Sequence, residues 1–396
     1  MATNKSGGKP PKYRAATSVV TAGRTPFEFE GFVNTPIFRG STVLSPTIEQ
    51  FLGHTGRYVY GRRGTPTTDA LADALTQLEG GAGVALTPSG LSAITTAILS
   101  IVKTGDHLLV TDSAYAPTRK FCNDILAPLG VETTYYDPLA GAAIEKLFKP
   151  NTRVVFLEAP GSLTFEMQDV PAIVAAAKKH GAITIMDNTW ATPLYFKPHE
   201  HGVDLSLEAG TKYLGGHADA NIGWVSATEA LWPKVKDTHG SLGLCPGPED
   251  VFLSLRGLRT LAVRLAHHME SGLKVARWLQ TRPEVARVLH PAIESDPGHA
   301  IWKRDFTGAC GLFSIILKPC SAKAVAAFIE GLELFGIGAS WGGFESLAIP
   351  FDVAKIRTAT KWNPGGPAVR LHIGLEDTGD LIADLERGFA ALKAAS

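Results

Sequence analysis

The spacing of apolar residues predicts a chain that alternates short strands with helices. Leu71, Leu75 and Leu78 recur at helical spacing within residues 67–79, and Gly80-Gly81 ends this helix. Further along the chain, strand-like apolar runs alternate with helical stretches, which is typical of β-α-β units and of a mostly parallel sheet covered on both faces. The predicted strands lie at 84–86, 107–111, 133–136, 153–157, 182–186, 203–207 and 222–226.

The last third of the chain follows a different pattern. A helical stretch at 248–280 leads to a smaller α+β part, with strands near 311–317 and 368–373 and a last helix that begins at Thr378. Residues 1–13 are polar and are expected to form a mobile tail. We therefore expect three parts: an N-terminal tail and arm at 1–64, a large α/β domain at 65–257 and a small C-terminal domain at 258–396.

Charge and composition argue against several classes of function. Lys plus Arg and Asp plus Glu each number 38, so the formal net charge is zero and a nucleic-acid or membrane-surface binder is not expected. The four cysteines have neither the density of a disulfide scaffold nor the spacing of a zinc site, and we expect no metal. Because no signal-peptide pattern or membrane-length apolar run occurs, a cytoplasmic protein is expected.

Two charged residues follow successive predicted strands, Asp187 after the run 182–186 and Lys212 after the run 203–207. An isolated loop lysine is most often a surface residue, and an isolated aspartate there is as often a cap or turn residue. Ligands of α/β sheets bind at the carboxyl ends of strands, however, so both side chains are expected in one crevice. A lysine that forms a Schiff base, opposite a buried carboxylate, is the arrangement that pyridoxal 5′-phosphate (PLP) requires.

A candidate phosphate site follows the first predicted strand. Residues 87–99 have the pattern of a strand end, a turn of small residues and an apolar helix. A helix N-terminus binds phosphate through its free backbone N–H groups, and Gly90 permits close approach. We expect Ser89 and Ser92 to donate hydroxyl groups there. The segment has neither the Gly-Lys-Ser/Thr of a P-loop nor a Gly-x-Gly-x-x-Gly pattern.

Tyr115 and Arg370 are weaker candidates when each is taken alone. Tyr115 follows the predicted strand 107–111 and is expected to stack on a cofactor ring, although an isolated loop tyrosine usually has no such function. Arg370 lies between apolar residues of the predicted strand 368–373. An arginine in that position is expected to bind a carboxylate with two hydrogen bonds, either from a substrate or within a structural ion pair.

These residues lie in segments that together resemble the Cys/Met-metabolism family of fold-type I PLP enzymes, over about 17–392. The resemblance implies an aspartate aminotransferase-like fold, with a mostly parallel sheet in the large domain and a smaller α+β C-terminal domain. The segments that carry it are Arg57-Tyr-Val-Tyr-Gly-Arg-Arg-Gly-Thr-Pro-Thr67, Leu157-Glu-Ala-Pro-Gly-Ser162, Met186-Asp-Asn-Thr-Trp190, Thr211-Lys-Tyr-Leu-Gly-Gly-His217, Ser340-Trp-Gly-Gly-Phe-Glu-Ser346 and Arg370-Leu-His-Ile-Gly-Leu-Glu-Asp377.

The resemblance also implies a role for each site residue. Lys212 forms the Schiff base and then removes the Cα proton, Asp187 keeps the ring nitrogen protonated, and Tyr115 stacks on the ring and deprotonates the incoming amine. The cofactor is expected to be bound by Tyr60, Arg62, Gly90, Leu91, Tyr115, Asp187, Thr189, Thr211 and Lys212. The substrate is expected to be bound by Ser340, Trp341 and Arg370.

The resemblance implies a homo-oligomer, expected to be a dimer of dimers. Residues 14–64 show little helical periodicity and many turn-forming residues, so we expect an extended arm that has no core of its own and must pack on something else to be stable. By resemblance, Tyr60 and Arg62 of this arm reach the cofactor phosphate of a neighbouring subunit.

Two stretches are similar to family members that act at Cβ rather than Cγ. These are Ser340-Trp341-Gly-Gly and Pro160-Gly-Ser162, where γ-acting members typically have Ser-Leu-Gly-Gly and Pro-Ser-Asn-Pro. The resemblance therefore implies β-elimination of L-cystathionine in methionine biosynthesis. The alternatives are a γ-lyase or sulfhydrylase of the same family or, in a different class, a catalytically silent PLP-fold binding protein. Two departures affect the cofactor and substrate sites: Ala209 replaces a phosphate-binding serine of many relatives, and 237–249 holds no tyrosine.

Overall fold

A seven-stranded sheet organises the larger part of the molecule. The computed structural model describes residues 13–396. In chain order, the strands of this sheet are β1 (Gly83–Thr87), β2 (His107–Thr111), β3 (Glu132–Tyr136), β4 (Thr152–Glu158), β5 (Ile183–Asp187), β6 (Leu205–Glu208) and β7 (Gly223–Ala227).

The spatial order of these strands is β1-β7-β6-β5-β4-β2-β3. The pairs from β6 to β3 are parallel, whereas β7 runs antiparallel to both of its neighbours, β1 and β6. The predicted mostly parallel sheet is therefore confirmed, and each predicted strand lies within two residues of its expected bounds. The reversed direction of β7 was not predicted.

Helices can cover both faces of this sheet because its strands carry apolar side chains on both sides. In β4, Val155 and Leu157 face one hydrophobic layer, while Val154 and Phe156 face the other. The helices of the chain are α1 (Ala15–Thr21), α2 (Ile48–Gly53), α3 (Pro66–Glu79), α4 (Gly90–Leu99), α5 (Ala116–Phe121), α6 (Val170–Lys179), α7 (Thr192–Tyr195), α8 (Trp232–Ser241), α9 (Pro248–Leu258), α10 (Leu261–Gln280), α11 (His299–Asp305), α12 (Ala322–Glu330) and α13 (Thr378–Ala394).

Helix α3 illustrates how local sequence sets these bounds. The Thr65 hydroxyl accepts a hydrogen bond from the Thr68 N–H, the Thr68 hydroxyl accepts one from the Thr65 N–H, and Pro66 occupies the first turn. Gly80 ends the helix with a φ of 77°, a left-handed conformation that glycine adopts without steric cost.

The last third of the chain forms a second, antiparallel sheet. Its strands are β8 (Val285–Leu289), β9 (Leu312–Leu317), β10 (Leu347–Phe351) and β11 (Ala368–His372), in the order β10-β11-β9-β8. The edge strands β8 and β10 were not predicted, because their side chains are only partly buried and β10 contains Pro350. We call the part built on this sheet the small domain and the part built on the seven-stranded sheet the large domain.

The stretch 248–280 was predicted as one helical segment and instead forms two helices, α9 and α10. Between them, the carbonyl oxygen of Gly257 accepts hydrogen bonds from the side chains of Thr260 at 3.2 Å and Arg264 at 2.8 Å. The same oxygen accepts the Thr260 N–H, three residues along the chain, at 3.1 Å. A continuous α-helix would pair it with the N–H four residues along, so α9 ends in this tighter turn.

The N-terminal segment is less extended than predicted. Helix α1 packs on the large domain, where Val19 is buried and the carbonyl oxygens of Val19 and Ala22 accept hydrogen bonds from Arg259. The predicted tail at 1–13 lies, except for Tyr13, outside the described residues. Within residues 13–396, no helix is both long and apolar enough to cross a membrane.

Candidate active site

Side chains from three neighbouring strands meet at the carboxyl edge of the large sheet. Asp187 ends β5 and Glu158 ends β4, and the two residues are register partners. Lys212 lies in the turn that follows β6. Parallel strands present their carboxyl ends at one edge of a sheet, so the fold brings Asp187 and Lys212 into one crevice, as the sequence predicted.

The Asp187 carboxylate is only partly compensated. It accepts two hydrogen bonds from Thr189, one from the backbone N–H at 3.0 Å and one from the hydroxyl at 2.5 Å. Withdrawal from water raises the pKa of Asp187, and the Thr189 bonds and the charge of Lys212 oppose this rise without cancelling it. The carboxylate can therefore gain a positively charged partner, such as a protonated ring nitrogen.

Lys212 has the properties of a reactive amine. Its Nζ donates a hydrogen bond to Ser340 Oγ at 2.7 Å and lies 5.5 Å from the centre of the Trp341 ring. Burial lowers the pKa of Lys212 to about 8, with a further lowering by the charge of Arg370 that Asp187 opposes. A lysine with this pKa is partly uncharged near neutral pH, so it can act as a nucleophile and as a base.

The loop that carries Ser340 and Trp341 rests on the backbone of Lys212. Gly342 has a φ of +84°, and a Cβ at this position would lie 2.9 Å from the carbonyl carbon of Lys212, so only glycine fits. On the other side, the Gly342 N–H donates a hydrogen bond to His372 Nε2 at 3.1 Å. These contacts fix Trp341 beside Lys212.

The N-terminus of α4 lies against the segment that precedes Lys212. A Cβ on Gly90 would lie 2.4 Å from Ala209 Cβ, so glycine is required for this approach. Leu91 follows in the first turn of α4, and its side chain is exposed. In the structure, the Ser89 and Ser92 side chains cap the helix, because each accepts a hydrogen bond from the backbone N–H of the other. The Ser89 hydroxyl donates to Ser92 Oγ at 3.1 Å and the Ser92 hydroxyl donates to the Ser89 carbonyl oxygen at 2.9 Å, so donation to a phosphate stays a prediction.

Three of the predicted cofactor residues, Tyr60, Arg62 and Thr211, form no side-chain hydrogen bond with Asp187 or Lys212 in the described chain. The Thr211 hydroxyl donates to the Ile222 carbonyl oxygen at 3.1 Å and accepts from the Ile222 N–H at 3.0 Å. Arg62 donates to the carbonyl oxygen of Gly240 at 2.9 Å, and Tyr60 is exposed. Within the described chain, neither Tyr60 nor Arg62 forms a side-chain hydrogen bond with Lys212.

Tyr115 precedes α5 and forms one wall of the crevice. Its backbone N–H donates to Glu158 Oε2 at 2.7 Å, and its side chain is half-exposed. Burial raises the pKa of Tyr115, and the charges of Asp187 and Glu158 raise it further. A phenol with a raised pKa keeps its proton at neutral pH, so Tyr115 becomes a base only when a nearby positive charge lowers this pKa.

Arg370 is the central residue of β11. Its Nη2 donates to the carbonyl oxygens of Ser340 at 2.9 Å and Gly338 at 3.2 Å, and its buried Nε has no partner among the described residues. Burial lowers the pKa of Arg370 to about 10, which leaves it charged at neutral pH. Its hydrogen-bond partners in the structure are carbonyl oxygens rather than the predicted carboxylate. The guanidinium still has N–H groups, including Nε, that can donate to a carboxylate.

Two further acids near Asp187 were not singled out from the sequence. Burial and the neighbouring charge of Asp187 raise the pKa of Glu158 well above its usual value. Burial and the charge of Glu79 likewise raise the pKa of Glu208, which accepts a hydrogen bond from Asn188 at 3.2 Å. Glu158 and Glu208 each end an apolar strand, so the rule that identified Asp187, applied to every strand, would have found them.

The residues of this crevice fit PLP. Asp187 can bind the ring nitrogen, Lys212 is an amine that is available to the aldehyde, and α4 offers backbone N–H groups to the phosphate beside the segment that carries Lys212. Arg370 can hold the carboxylate of an amino acid in the same crevice.

Comparisons with known proteins agree with this fit. The family model described as Cys/Met metabolism PLP-dependent enzyme matches residues 16–390. The chain is 46% identical over 387 residues to the cystathionine beta-lyase of Escherichia coli (strain K12), which covers 95% of this chain and 98% of that protein. It is 44% identical over 389 residues to the cystathionine beta-lyase of Haemophilus influenzae, and the match covers 96% of this chain and 98% of that protein.

The solved structures lead to the same family. A cystathionine gamma synthase from Xanthomonas oryzae pv. oryzae, in complex with cystathionine, is similar with a TM-score of 0.89 and 33% identity, covering 97% of this chain and 100% of that chain. A chain that matches the family model along nearly its whole length and shares the fold of such enzymes is a member of the family. This protein belongs to the Cys/Met metabolism family of PLP-dependent enzymes.

Proposed function

We propose that this protein is a carbon–sulfur lyase that cleaves L-cystathionine by β-elimination, a step of methionine biosynthesis. One water molecule is consumed, and homocysteine, pyruvate and ammonia are released. The observation that carries the proposal is the position of Trp341 beside Lys212, in a chain that is 46% identical to the Escherichia coli cystathionine beta-lyase over most of its length.

Bound PLP supplies an electron sink for negative charge at the substrate Cα. The residues of the chain bind and orient the substrate for this chemistry. Arg370 binds the α-carboxylate, and Lys212, whose pKa is lowered to about 8, removes the Cα proton. Asp187 holds a negative charge opposite the ring nitrogen, and Ser340 orients the amine of Lys212 through the 2.7 Å hydrogen bond.

Trp341 favours β-elimination over γ-elimination. Elimination at Cγ needs a second proton, taken from Cβ, so the substrate must turn to present Cβ to a base. The indole lies 5.5 Å from Lys212 Nζ and is held there by Tyr213, with 5.5 Å between the ring centres. An indole in this place restricts that turn. Since the γ-acting structures share the fold, the fold alone does not separate the two reactions.

The keto acid formed from cystathionine tests the proposal. The purified enzyme, loaded with PLP, is incubated with L-cystathionine, and the products are identified by mass spectrometry. We expect pyruvate and homocysteine. Mainly 2-oxobutyrate and cysteine would establish a γ-lyase, and the absence of both keto acids would favour a catalytically silent binding protein.

Replacing Trp341 with leucine tests the role of the indole directly. Trp341→Leu should reduce the preference for cystathionine and raise the share of 2-oxobutyrate, because the substrate gains room to turn. The matched control is Trp278→Leu, which removes an indole that packs on Phe389 in the small domain. An unchanged product ratio in Trp341→Leu would leave the indole with a packing role only.

The proposal includes active sites shared between two subunits of a homo-oligomer, a dimer of dimers in the cytoplasm. What supports sharing is the arm, whose Tyr60 is exposed and whose Arg62 is hydrogen-bonded to Gly240 rather than to Lys212 within the described chain. Mixing inactive Arg62→Ala and Lys212→Ala chains should restore activity, because one site of a mixed dimer then has both residues intact. Failure to recover activity after proven subunit exchange would contradict sharing.

A further inference from the structure

One connection of the small domain is anchored on the wall of the active-site crevice. It spans 352–367 and joins β10 to β11, the strand that carries Arg370. Its two ends are held together, since Phe351 and Ala368 are register partners. Between these ends, residues 356–360 contact the large domain.

Asp112 is the large-domain side of the first anchor. It follows β2 directly and is 1% exposed. The N–H and hydroxyl of Thr358 donate to its Oδ1 at 2.9 and 3.3 Å, and the N–H and hydroxyl of Thr360 donate to its Oδ2 at 2.9 and 2.8 Å. One short stretch of the small domain therefore bonds both carboxylate oxygens.

Arg119 completes this anchor. Its Nη1 donates to Asp112 Oδ1 at 2.9 Å, and its Nη2 donates to the Ile356 carbonyl oxygen at 2.6 Å and to Thr358 Oγ1 at 3.0 Å. The side chain is buried, and its guanidinium lies 3.6 Å from the centre of the Tyr135 ring. A buried ion pair is tolerated only when its hydrogen bonds are made, and the connection supplies several of them.

A second anchor holds the neighbouring loop. Arg357 Nη2 donates to Glu166 Oε1 at 3.0 Å and to the hydroxyl of Thr164. The Glu166 carbonyl oxygen accepts a hydrogen bond from the Gly161 N–H at 2.9 Å, in the loop that follows Glu158. The connection is thus fixed to two large-domain loops, one after β2 and one after β4, and both begin at the crevice.

We infer that residues 356–360 form an interdomain latch, which fixes Arg370 of the small domain relative to the crevice wall at Tyr115. A small-domain displacement of about 1 Å would misplace a carboxylate bound by Arg370, and such errors are costly to a positioned substrate. Asp112 and Arg119 are therefore positioning residues that act on substrate binding through the small domain. This inference rests on the proposed function only where it is tested by the KM and kcat for cystathionine.

The latch is tested by comparing two substitutions of the same kind. Arg119→Gln removes the positive charge that pairs with Asp112 and keeps an amide donor. Arg304→Gln is the control, because Arg304 pairs with Asp169 at 2.8 Å between the same two domains but is half-exposed. Exposed ion pairs contribute little, so the control should behave as wild type.

Two measurements on the PLP-loaded enzyme report on the latch. Titration with glycine, followed by the absorbance of the bound cofactor, gives the affinity for an amino acid. Hydrogen exchange reports on the amides of Thr358 and Thr360, which donate to Asp112. For Arg119→Gln we expect the glycine Kd and the KM for cystathionine to rise about tenfold, with kcat within about threefold, and both amides to exchange about tenfold faster.

Several outcomes would overturn the latch. An unchanged glycine affinity in Arg119→Gln would contradict the latch, whether or not the amides of Thr358 and Thr360 exchange faster. A fall in kcat at constant KM, or equal effects of the two arginine substitutions, would contradict it as well. If Arg119→Gln does not fold, Thr358→Val replaces it, because it removes the hydroxyl that contacts both Asp112 and Arg119. If wild type forms no pyruvate from cystathionine, the proposed function fails, while glycine binding and exchange still decide on the latch.

Discussion

Two aspartates at the same edge of the large sheet differ in how far the fold compensates their charge. Asp112 follows β2 and Asp187 ends β5, with β4 between the two strands. Burial alone would raise the pKa of Asp112, but the hydrogen bonds from Thr358 and Thr360 outweigh it and lower this pKa. Asp187 accepts hydrogen bonds from Thr189, and its withdrawal from water raises its pKa.

This difference separates a structural charge from a functional one. Both residues are the same acid in nearly the same place, so neither residue type nor position at a strand end distinguishes them. The donors distinguish them: a fully bonded carboxylate contributes stability, whereas a partly bonded one in a crevice can bind a cationic ligand. The predictions below change one aspartate at a time and measure binding chemistry and stability separately.

The largest effect is expected from Asp187→Asn, which removes the charge with little change in shape. Loss of one partner of a buried ion pair costs about 3–5 kcal/mol, so kcat/KM for cystathionine should fall by about 10²–10⁴-fold. Steady-state kinetics at saturating PLP check this expectation. Activity close to that of wild type would contradict the assignment of Asp187 to the ring nitrogen.

The same substitution should stabilise the protein stripped of PLP. Because the folded-state pKa of Asp187 is raised, its ionised form opposes folding at neutral pH, and this penalty disappears as the pH falls through the folded-state pKa. Denaturant unfolding should therefore show a gain in the unfolding free energy of Asp187→Asn at neutral pH that shrinks in acid. A loss of stability at neutral pH would show that Asp187 is already compensated.

Asp112→Asn should have the opposite effect on stability. The folded-state pKa of Asp112 is lowered, so its charge contributes stability above the usual aspartate pKa of about 3.9, and this contribution is lost as the pH falls through the folded-state pKa. We expect the unfolding free energy to fall by about 3 kcal/mol at neutral pH, with a difference from wild type that narrows below about pH 4. An equal loss at neutral and acid pH would assign the effect to shape rather than charge.

The two aspartates also mark how far the sequence predicts the site. Asp187 and Lys212 were found because each follows an apolar strand, and parallel strands share one carboxyl edge. The partners of Asp112 were not found, because Thr358 lies 246 residues away along the chain, in a connection without periodic pattern. Long-range polar contacts of this kind leave no local signal in the sequence.

The fold shows the same division between local and long-range information. Most strands of the large sheet were predicted because burial on both faces makes them apolar runs, whereas the partly exposed edge strand β3 was predicted from its β-branched and aromatic residues. The direction of β7 was not predicted, since parallel and antiparallel strands have the same two-residue period. Strand β10 was not predicted because the side chains of residues 349–351 are exposed or partly exposed.

The smallest effects are expected from removing one hydroxyl group beside each aspartate. Thr189→Val takes away the hydroxyl that donates to Asp187. Among the described residues, the Asp187 carboxylate then accepts only the hydrogen bond from the backbone N–H of residue 189. A hydrogen bond to a charged group contributes about 1.5–3 kcal/mol, so the Kd for PLP should rise by about 10–10²-fold, as measured by cofactor titration of the stripped protein.

Thr360→Val is the matched change at Asp112. It removes one donor from a carboxylate that still accepts hydrogen bonds from Thr358, from Arg119 and from the Thr360 N–H. Because these bonds remain, the unfolding free energy should fall by less than about 1 kcal/mol, and the Kd for PLP should equal that of wild type. If Thr360→Val weakened PLP binding more than Thr189→Val, the carboxylate that responds to the cofactor would be Asp112, and the distinction between the two aspartates would be lost.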